Sequence, residues 1–174
     1  MQGDATISVD GRYRYHLWRR WLIGDAGNVL FVMLNPSTAD ARQDDPTIRR
    51  CIGFAEAWGA DRLDVVNLFA FRTSDPGELA QRAVDGANIV GPDNDDEIFL
   101  HARLASRIIV AWGQHGDDYP ERVQKVLAIL REALTYIAYS GPRQLECLGR
   151  TKSGQPVHPL YQPRSALLME YTPE

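Results

Sequence analysis

The side chains best suited to chemistry in this sequence lie where apolar runs end. An unbroken apolar run at 29–34 stops at Asn35, Pro36 and Ser37. A side-chain amide such as that of Asn35 can orient a water molecule or bind the polar edge of a ligand. The alternative is a strand-to-helix turn in which Ser37 or Thr38 caps a helix.

Two further apolar runs end in a similar way. Asn67 lies near the end of the run 63–68, and the run 107–112 ends in Trp112 and Gly113. An asparagine at a strand end must find hydrogen-bond partners, so Asn67 either organises the following loop or contacts a ligand. The indole of Trp112 offers an aromatic face on which a flat ligand can stack.

His158 is the fourth candidate, and it lies in a loop-rich, basic segment near the C-terminus. A lone histidine is usually a polar surface residue. An imidazole can also donate a hydrogen bond to a departing group, and Tyr161 supplies a second aromatic face close by.

Helical signals separate these runs along the chain. Asp45 followed by Pro46 predicts a helix start with an aspartate cap, and a second helix is predicted from about Pro120. Apolar runs rich in β-branched residues suit strands that are buried on both faces. Strands that alternate with helices imply βαβ units, whose right-handed crossovers bring every strand's carboxyl end to one edge of the sheet.

We therefore expect an α/β fold of three layers, in which helices flank a mostly parallel central sheet. Its strands are predicted at 29–34, 63–68, 107–112 and about 144–148. In open α/β sheets ligands bind at the carboxyl edge of the strands. The side chains predicted to line one cavity at that edge are Asn35, Asn67, Trp112 and His158.

The N-terminal part carries a different pattern. Residues 12–23 alternate between apolar and polar side chains, which predicts a half-buried antiparallel strand. Turn-forming residues at 24–28 predict a hairpin between this strand and 29–34. Its aromatic and arginine side chains can also stack on bases, but such a stripe is more typical of an edge strand packed on the core. The polar residues 1–11 are expected to be flexible.

Length and composition fit a single domain, 1–174, that carries its own core. The formal net charge of −4 argues against a general nucleic-acid coat. No apolar segment approaches the roughly 20 residues of a membrane span, and the first residues lack a signal-peptide pattern, so we expect a cytoplasmic protein without membrane contact. Cys51 and Cys147 show no metal-ligand spacing and are expected to be buried, reduced thiols.

Charge is distributed unevenly along the chain. The segment 143–164 has four basic residues and one acidic residue, and within it Arg150 and Lys152 are candidates for binding phosphate. Scattered, solvated charge is the alternative interpretation. The acid run at 93–97 lacks the calcium-loop pattern, so we predict that it starts a helix and binds no metal.

Long motifs across almost the whole chain resemble one bacterial family, known as domain of unknown function 1643. The motifs are RYRYHLWRRW, FVMLNPSTADARQDDPTIRRC, VVNLFAFRTSDP, VGPDND, AWGQHG and CLGRTKSGQPVHPLY. That resemblance implies no established activity.

A second resemblance rests on the ordered set LNPS, VVNLFAFR, IIVAWG and HPLY, which is similar to the uracil-DNA glycosylase superfamily. It implies a short parallel sheet between helices, with a pocket at the strand ends. It also implies that Asn35 positions a water molecule, that Asn67 reads the base and that His158 contacts the departing base. The chain departs from the superfamily pattern at Met33 and Ser37, which stand near two glycines of its first turn, and after the His-Pro pair, where the superfamily has a serine-rich turn.

These features favour an N-glycosidic bond hydrolase that acts on a nucleobase in DNA, RNA or a nucleotide. Breaking a base–sugar bond needs an oriented water molecule and stabilisation of the anion left on the base. We assign these catalytic roles to Asn35 and His158, and an aspartate in place of Asn35 would add a general base. No cofactor or metal is expected. The residues expected to contact the substrate are Pro36, Ser37, Asp40, Asn67, Arg72, Trp112, Gly113 and Tyr161.

Two alternatives stay open at the level of sequence. The first is a module that binds a nucleotide or nucleobase and leaves it intact, because an asparagine at position 35 cannot serve as an anionic base. The second is a structural partner protein, for which the sequence has no distinctive apolar surface motif. The sequence carries no signal for an oligomeric state.

Overall fold

A computed structural model describes residues 1–21, 26–136 and 143–173, which form seven strands and four α-helices. The strands are β1 (Gln2–Ile7), β2 (Arg14–Arg20), β3 (Asn28–Met33), β4 (Arg62–Asn67), β5 (Arg107–Val110), β6 (Leu145–Cys147) and β7 (Met169–Glu170). The α-helices are α1 (Pro46–Ala57), α2 (Pro76–Val84), α3 (Asn94–Leu104) and α4 (Pro120–Thr135). Two 3-10 helices are Gln114–Asp118 and Pro159–Tyr161.

All seven strands belong to one sheet, in the order β1-β2-β4-β3-β5-β6-β7. Four consecutive strands, β4, β3, β5 and β6, run parallel and correspond to the four predicted strands. The pairs β1–β2, β2–β4 and β6–β7 are antiparallel. The sheet is therefore mixed, and the prediction of a mostly parallel sheet was wrong. Parallel neighbours need long crossover connections, and the short link between β1 and β2 allows only an antiparallel pair.

The position of β2 also corrects the predicted hairpin. β2 is an antiparallel strand, as predicted, but β4 lies between β2 and β3. Val65 of β4 pairs with Leu17 on one side and with Phe31 on the other. Residues 12–23 and 29–34 are therefore not hairpin partners. Residues 22–23 of the predicted strand and 24–25 of the predicted turn lie outside the described residues. So do residues 137–142, which belong to the segment 135–142 that the sequence left ambiguous between a strand and the end of a helix.

β1, α2 and the short strand β7 were absent from the sequence-based prediction. Gln2–Ile7, expected to be flexible, pairs with β2 along its whole length. α2 begins at Pro76, where no helix was predicted, and the side chain of Asp75 caps it by accepting a hydrogen bond from the Gly77 N–H at 2.8 Å.

The predicted helix starts are confirmed at three places. The Asp45 carboxylate accepts a hydrogen bond from the Ile48 N–H at 2.8 Å, and Pro46 is the first residue of α1. The acid run at 93–97 begins α3, and Pro120 begins α4. No described helix combines the length and the apolar character needed to cross a membrane.

Helices cover both faces of the sheet, so its central strands are buried on both sides. Phe31 and Met33 of β3 pack in a cluster with residues of α1, whereas Leu30 and Val32 pack in a cluster with residues of α3 and α4. This burial on both faces explains why the central strands are unbroken apolar runs in the sequence. It also leaves their carboxyl ends as the edge at which polar side chains can collect.

Candidate functional site

A cavity of about 640 Å³ opens at the carboxyl ends of β3 and β5. The turn after β3, the start of α1, the turn after β5 and the loop 157–162 line it. Its volume lies within the range of about 300–1,000 Å³ that is typical of small-molecule sites. The predicted site residues that line it are Asn35, Ser37, Trp112, Gly113, His158 and Tyr161.

The side chain of Asn35 is held in place by the turn that follows β3. Its Nδ2 donates to the carbonyl of Thr73 at 2.7 Å and to the carbonyl of Pro36 at 3.2 Å. The Thr73 N–H in turn donates to the Pro36 carbonyl at 2.9 Å. Because both amide hydrogens are used on the backbone, the group that Asn35 can offer a ligand or water is its Oδ1 acceptor.

His158 precedes the 3-10 helix Pro159–Tyr161, and one of its ring nitrogens is committed to that helix. Nδ1 accepts a hydrogen bond from the Leu160 N–H at 3.3 Å. A neutral imidazole whose Nδ1 is an acceptor carries its proton on Nε2, so Nε2 is a hydrogen-bond donor. Burial lowers the pKa of His158, the Asp45 carboxylate opposes that shift, and His115 adds to it. The neutral, donating form is therefore the one favoured near neutral pH.

Gly113 allows the turn after β5 to approach His158 closely. Its φ of 80° lies in the left-handed region, and a Cβ at this position would lie 3.3 Å from the Cβ of His158. A side chain at position 113 would therefore strain the backbone and crowd the Cβ of His158.

Asp45 brings a buried carboxylate into the same cavity. The residue is 9% exposed and lines the cavity while it caps α1. Its charge acts on the titration of both His158 and Arg14, which places the carboxylate within electrostatic reach of both side chains. The sequence predicted its capping role but not its place in the site.

Arg14 is the second cavity residue that sequence reasoning missed. Its Nη1 donates to the Ala39 carbonyl at 2.7 Å, and its Nε is buried without a hydrogen-bond partner among the described residues. Burial lowers the pKa of Arg14 to about 10, with Asp45 opposing the shift. The guanidinium is thus a buried cation on the cavity wall, within electrostatic reach of the Asp45 carboxylate.

Two aromatic side chains border the cavity in different ways. Trp112 is 1% exposed, and its Nε1 donates to Gln155 Oε1 at 2.8 Å, so the indole is a fixed part of the wall. Tyr161 is 80% exposed, and its ring centroid lies 5.8 Å from that of His158. Tyr161 is consequently the aromatic face that is open for stacking at the rim.

The remaining predicted site residues do not line the cavity. Pro36 is buried behind Asn35, and Asn67 is buried with its side-chain amide unpartnered among the described residues. Asp40 caps its own loop by accepting hydrogen bonds from the N–H groups of Arg42 and Gln43.

Three predicted cationic contacts also lie elsewhere. Arg72 donates to the carbonyl of Gly11 at 3.2 Å. Arg150 donates to the carbonyl of Glu170 and lies over the ring of Tyr171, and Lys152 is exposed. The positive charge of the segment 143–164 suggested phosphate contacts for Arg150 and Lys152, but of residues 150–152 only Thr151 lines the cavity.

A family profile described as Protein of unknown function (DUF1643) matches residues 14–160. The chain belongs to this family. The match to DUF1643 begins at Arg14 and ends at Leu160, so both ends of the matched range lie on the cavity wall. No curated protein and no solved structure matches the chain.

Away from the cavity, this DUF1643 chain holds one group of side chains with metal-ligand geometry among the described residues: His16, Asp64 and His101. The Asp64 oxygens already accept hydrogen bonds from His16, Arg62 and Asn28. The Arg62 guanidinium beside that carboxylate disfavours a divalent cation, so we interpret the group as a buried polar network.

Proposed function

We propose that the cavity cleaves the N-glycosidic bond between a nucleobase and its sugar by hydrolysis. The observation that supports this most directly is the convergence of an acceptor amide, a carboxylate and a donating imidazole on one cavity. The order of the motifs LNPS, VVNLFAFR, IIVAWG and HPLY supports the same chemistry and a fold of the uracil-DNA glycosylase type.

In the proposed reaction, Asn35 Oδ1 accepts a hydrogen bond from a water molecule and orients it. The Asp45 carboxylate takes a proton from this water as its oxygen forms a bond to the anomeric carbon of the sugar. The carbon–nitrogen bond breaks, and its electron pair leaves on the base. His158 Nε2–H donates a hydrogen bond to the base and stabilises the developing anion. The products are the free base and a sugar that carries the hydroxyl from water.

A neutral imidazole suits this role. Since burial lowers the pKa of His158, the side chain donates a hydrogen bond without carrying a full charge near neutral pH. The anionic base takes a proton from solvent after it leaves the cavity, and Asp45 releases to solvent the proton that it took from water.

The test is base release from uracil, hypoxanthine, alkylated and hypermodified bases, offered in single strands, duplexes and free nucleotides. We expect release of at least one base. His158→Ala should lower turnover by about a hundredfold while weakening binding far less. The matched control is His115→Ala, which removes a histidine from the same cavity wall and should lose much less activity.

A binding module without catalysis is the second candidate. It is favoured by Asn35, whose amide hydrogens are held by two backbone carbonyls and which carries no charge. No base release from any substrate, combined with retained nucleotide binding in His158→Ala, would reject the hydrolase and favour this module.

A further inference from the structure

A second, shallower cavity of about 350 Å³ adjoins the first on the outer side of α1. Pro46 and Leu160 line both cavities, so the two are neighbours. The remaining wall of the second cavity includes Arg49, Arg50 and Arg164, and we call this surface the arginine groove.

The arginine groove is cationic, and none of the described residues that line it is acidic. None of its three arginines forms a salt bridge within the described part of the chain. Arg49 and Arg50 donate instead to the carbonyls of Asp44 and Gln162. Their guanidinium groups are held in place while their charges stay uncompensated.

The position of these arginines opposes the intrinsic preference of the helix. Arg49 and Arg50 lie in the first half of α1, where the helix dipole favours acidic side chains. Arg50 is also held over the Phe54 ring, at 5.5 Å from its centroid. The formal net charge of the chain is −4, so this cluster makes the potential locally positive on a protein that is negative overall.

Gly53 keeps the arginine groove open. It lies within α1, where glycine costs about 1 kcal/mol relative to alanine. A Cβ at this position would point toward Arg164, with the nearest atom, Nη2, at 3.8 Å. The missing side chain therefore leaves space between the helix and Arg164.

We propose that the arginine groove binds the backbone phosphates of a single-stranded nucleic acid, one base of which enters the adjoining cavity. This rests on the proposed function and narrows its substrate from a free nucleotide to a polynucleotide. Guanidinium groups match phosphate oxygens in bidentate geometry. Tyr161, exposed at the rim, provides a stacking surface for a neighbouring base. A single strand fits because a base must leave the stack before it can enter a cavity.

The test is fluorescence anisotropy with a labelled, mixed-sequence single strand of about 12 nucleotides, a length that covers one such binding site. We expect the double substitution Arg49→Gln and Arg164→Gln to weaken binding about tenfold or more. The slope of log affinity against log salt should fall by about 0.7 for each phosphate that the variant no longer neutralises. The matched control is Arg131→Gln, an exposed arginine on α4, which should change neither quantity.

Gly53→Leu is a second variant that fills the groove without removing charge and favours the helix. It should also weaken oligonucleotide binding at least several-fold. Unchanged affinity and unchanged salt slope in the double variant, or unchanged affinity in a folded Gly53→Leu protein, would overturn the proposal.

Failure of this inference can be told apart from failure of the hydrolase. If the wild-type protein releases no base but its oligonucleotide binding depends on the arginines, phosphate binding by the arginine groove is supported and the hydrolase is rejected. If it releases bases from free nucleotides but binds oligonucleotides independently of the arginines, phosphate binding by the arginine groove is rejected and the hydrolase is supported.

Discussion

At the scale of single residues, Asp45 combines a structural and a chemical role. One of its oxygens caps α1 through the Ile48 N–H, and its carboxylate also faces the cavity that holds His158. Asparagine caps a helix about as well as aspartate but cannot accept a proton at neutral pH. Substitution at this position can therefore separate folding from chemistry.

We predict that Asp45→Asn and Asp45→Ala are both inactive but differ in stability. Loss of the proton acceptor should lower the rate of base release by about a hundredfold or more in each. Asp45→Asn should be the more stable of the two by about 1 kcal/mol, because it keeps the cap. Urea unfolding and base-release assays measure the two effects. An Asp45→Asn protein with wild-type turnover would exclude Asp45 as the base.

Asn35→Asp has a different expected outcome from the one that sequence alone favoured. The sequence suggested that an added carboxylate would supply a general base. The structure places Nδ2 between the carbonyls of Pro36 and Thr73, where an aspartate oxygen would meet two acceptors. We therefore predict that Asn35→Asp destabilises the fold by about 1–3 kcal/mol and lowers activity. Thermal unfolding and base release at matched temperature test this, and a stable, more active variant would contradict it.

At the scale of elements, the turn after β5 determines how closely two segments distant in sequence can meet. Gly113 has a φ of 80° and lies under His158, whereas Gly59, just after α1, has a φ of 79° and open space around its Cβ position. The two glycines share the same backbone requirement and differ only in their surroundings.

Gly113→Ala should therefore reduce both stability and activity, while Gly59→Ala should reduce stability alone. A left-handed conformation costs an alanine about 1–2 kcal/mol at either position. Only at position 113 would the new methyl group also crowd the Cβ of His158 and so disturb the position of this residue. Urea unfolding together with base release distinguishes the two, and equal activity losses in both variants would contradict the prediction.

The four parallel strands and three of the four helix starts were predictable because local patterns specify them. Unbroken apolar runs predict strands covered on both faces, and the helix starts were predicted from Asp45 with Pro46, the acid run at 93–97 and Pro120. α2 was missed because Asp75 and Pro76, followed by a glycine, also fit a loop.

Simple alternation did not show Arg14 as a cavity residue. The pairing of β1 with β2 shifts register between Thr6 and Ile7, whose partners are His16 and Arg14. Such a bulge ends the strict two-residue alternation, and nothing in the local sequence marks it.

The candidate site was predictable to a similar extent. Asn35, Trp112 and His158 share a cavity because strand ends meet at one edge, which topology alone implies. Asp45 was assigned only a capping role, so its place in the cavity wall was not predicted. Arg150 and Lys152 were chosen for the positive charge of their segment, and charge along the sequence does not determine which side chains of a loop face a cavity.

At the scale of the whole molecule, the network of His16, Asp64 and His101 joins β2, β4 and α3 beneath the surface. The rings of His16 and His101 stack with centroids 3.5 Å apart, and Asp64 accepts a hydrogen bond from His16 at 2.8 Å. Burial lowers the pKa of His101 to about 4, and the adjacent His16 adds to the shift. Folding therefore favours a neutral His101.

This network predicts a loss of stability in mild acid. In the unfolded chain a histidine takes up a proton near pH 6.5, but His101 in the fold does so only near pH 4, since its pKa is lowered to about 4. The unfolded state therefore binds more protons in this window, and the free energy of unfolding falls as the pH falls, by about 3 kcal/mol in total. His101→Gln should flatten this dependence in urea unfolding measured between about pH 7 and 4. The same slope in the variant as in the wild type would contradict the assignment.

The cavity wall is built from residues that lie far apart in the sequence, and this affects when the cavity forms during protein synthesis. Arg14 emerges early from the ribosome, whereas His158 emerges after most of the sheet has been translated. β6 and β7, which flank the His158 loop in sequence, pair with each other late as well. The nascent chain can therefore bury much of its core before the cavity is complete. A ligand that binds in the cavity can stabilise the fold only after the last strands have formed.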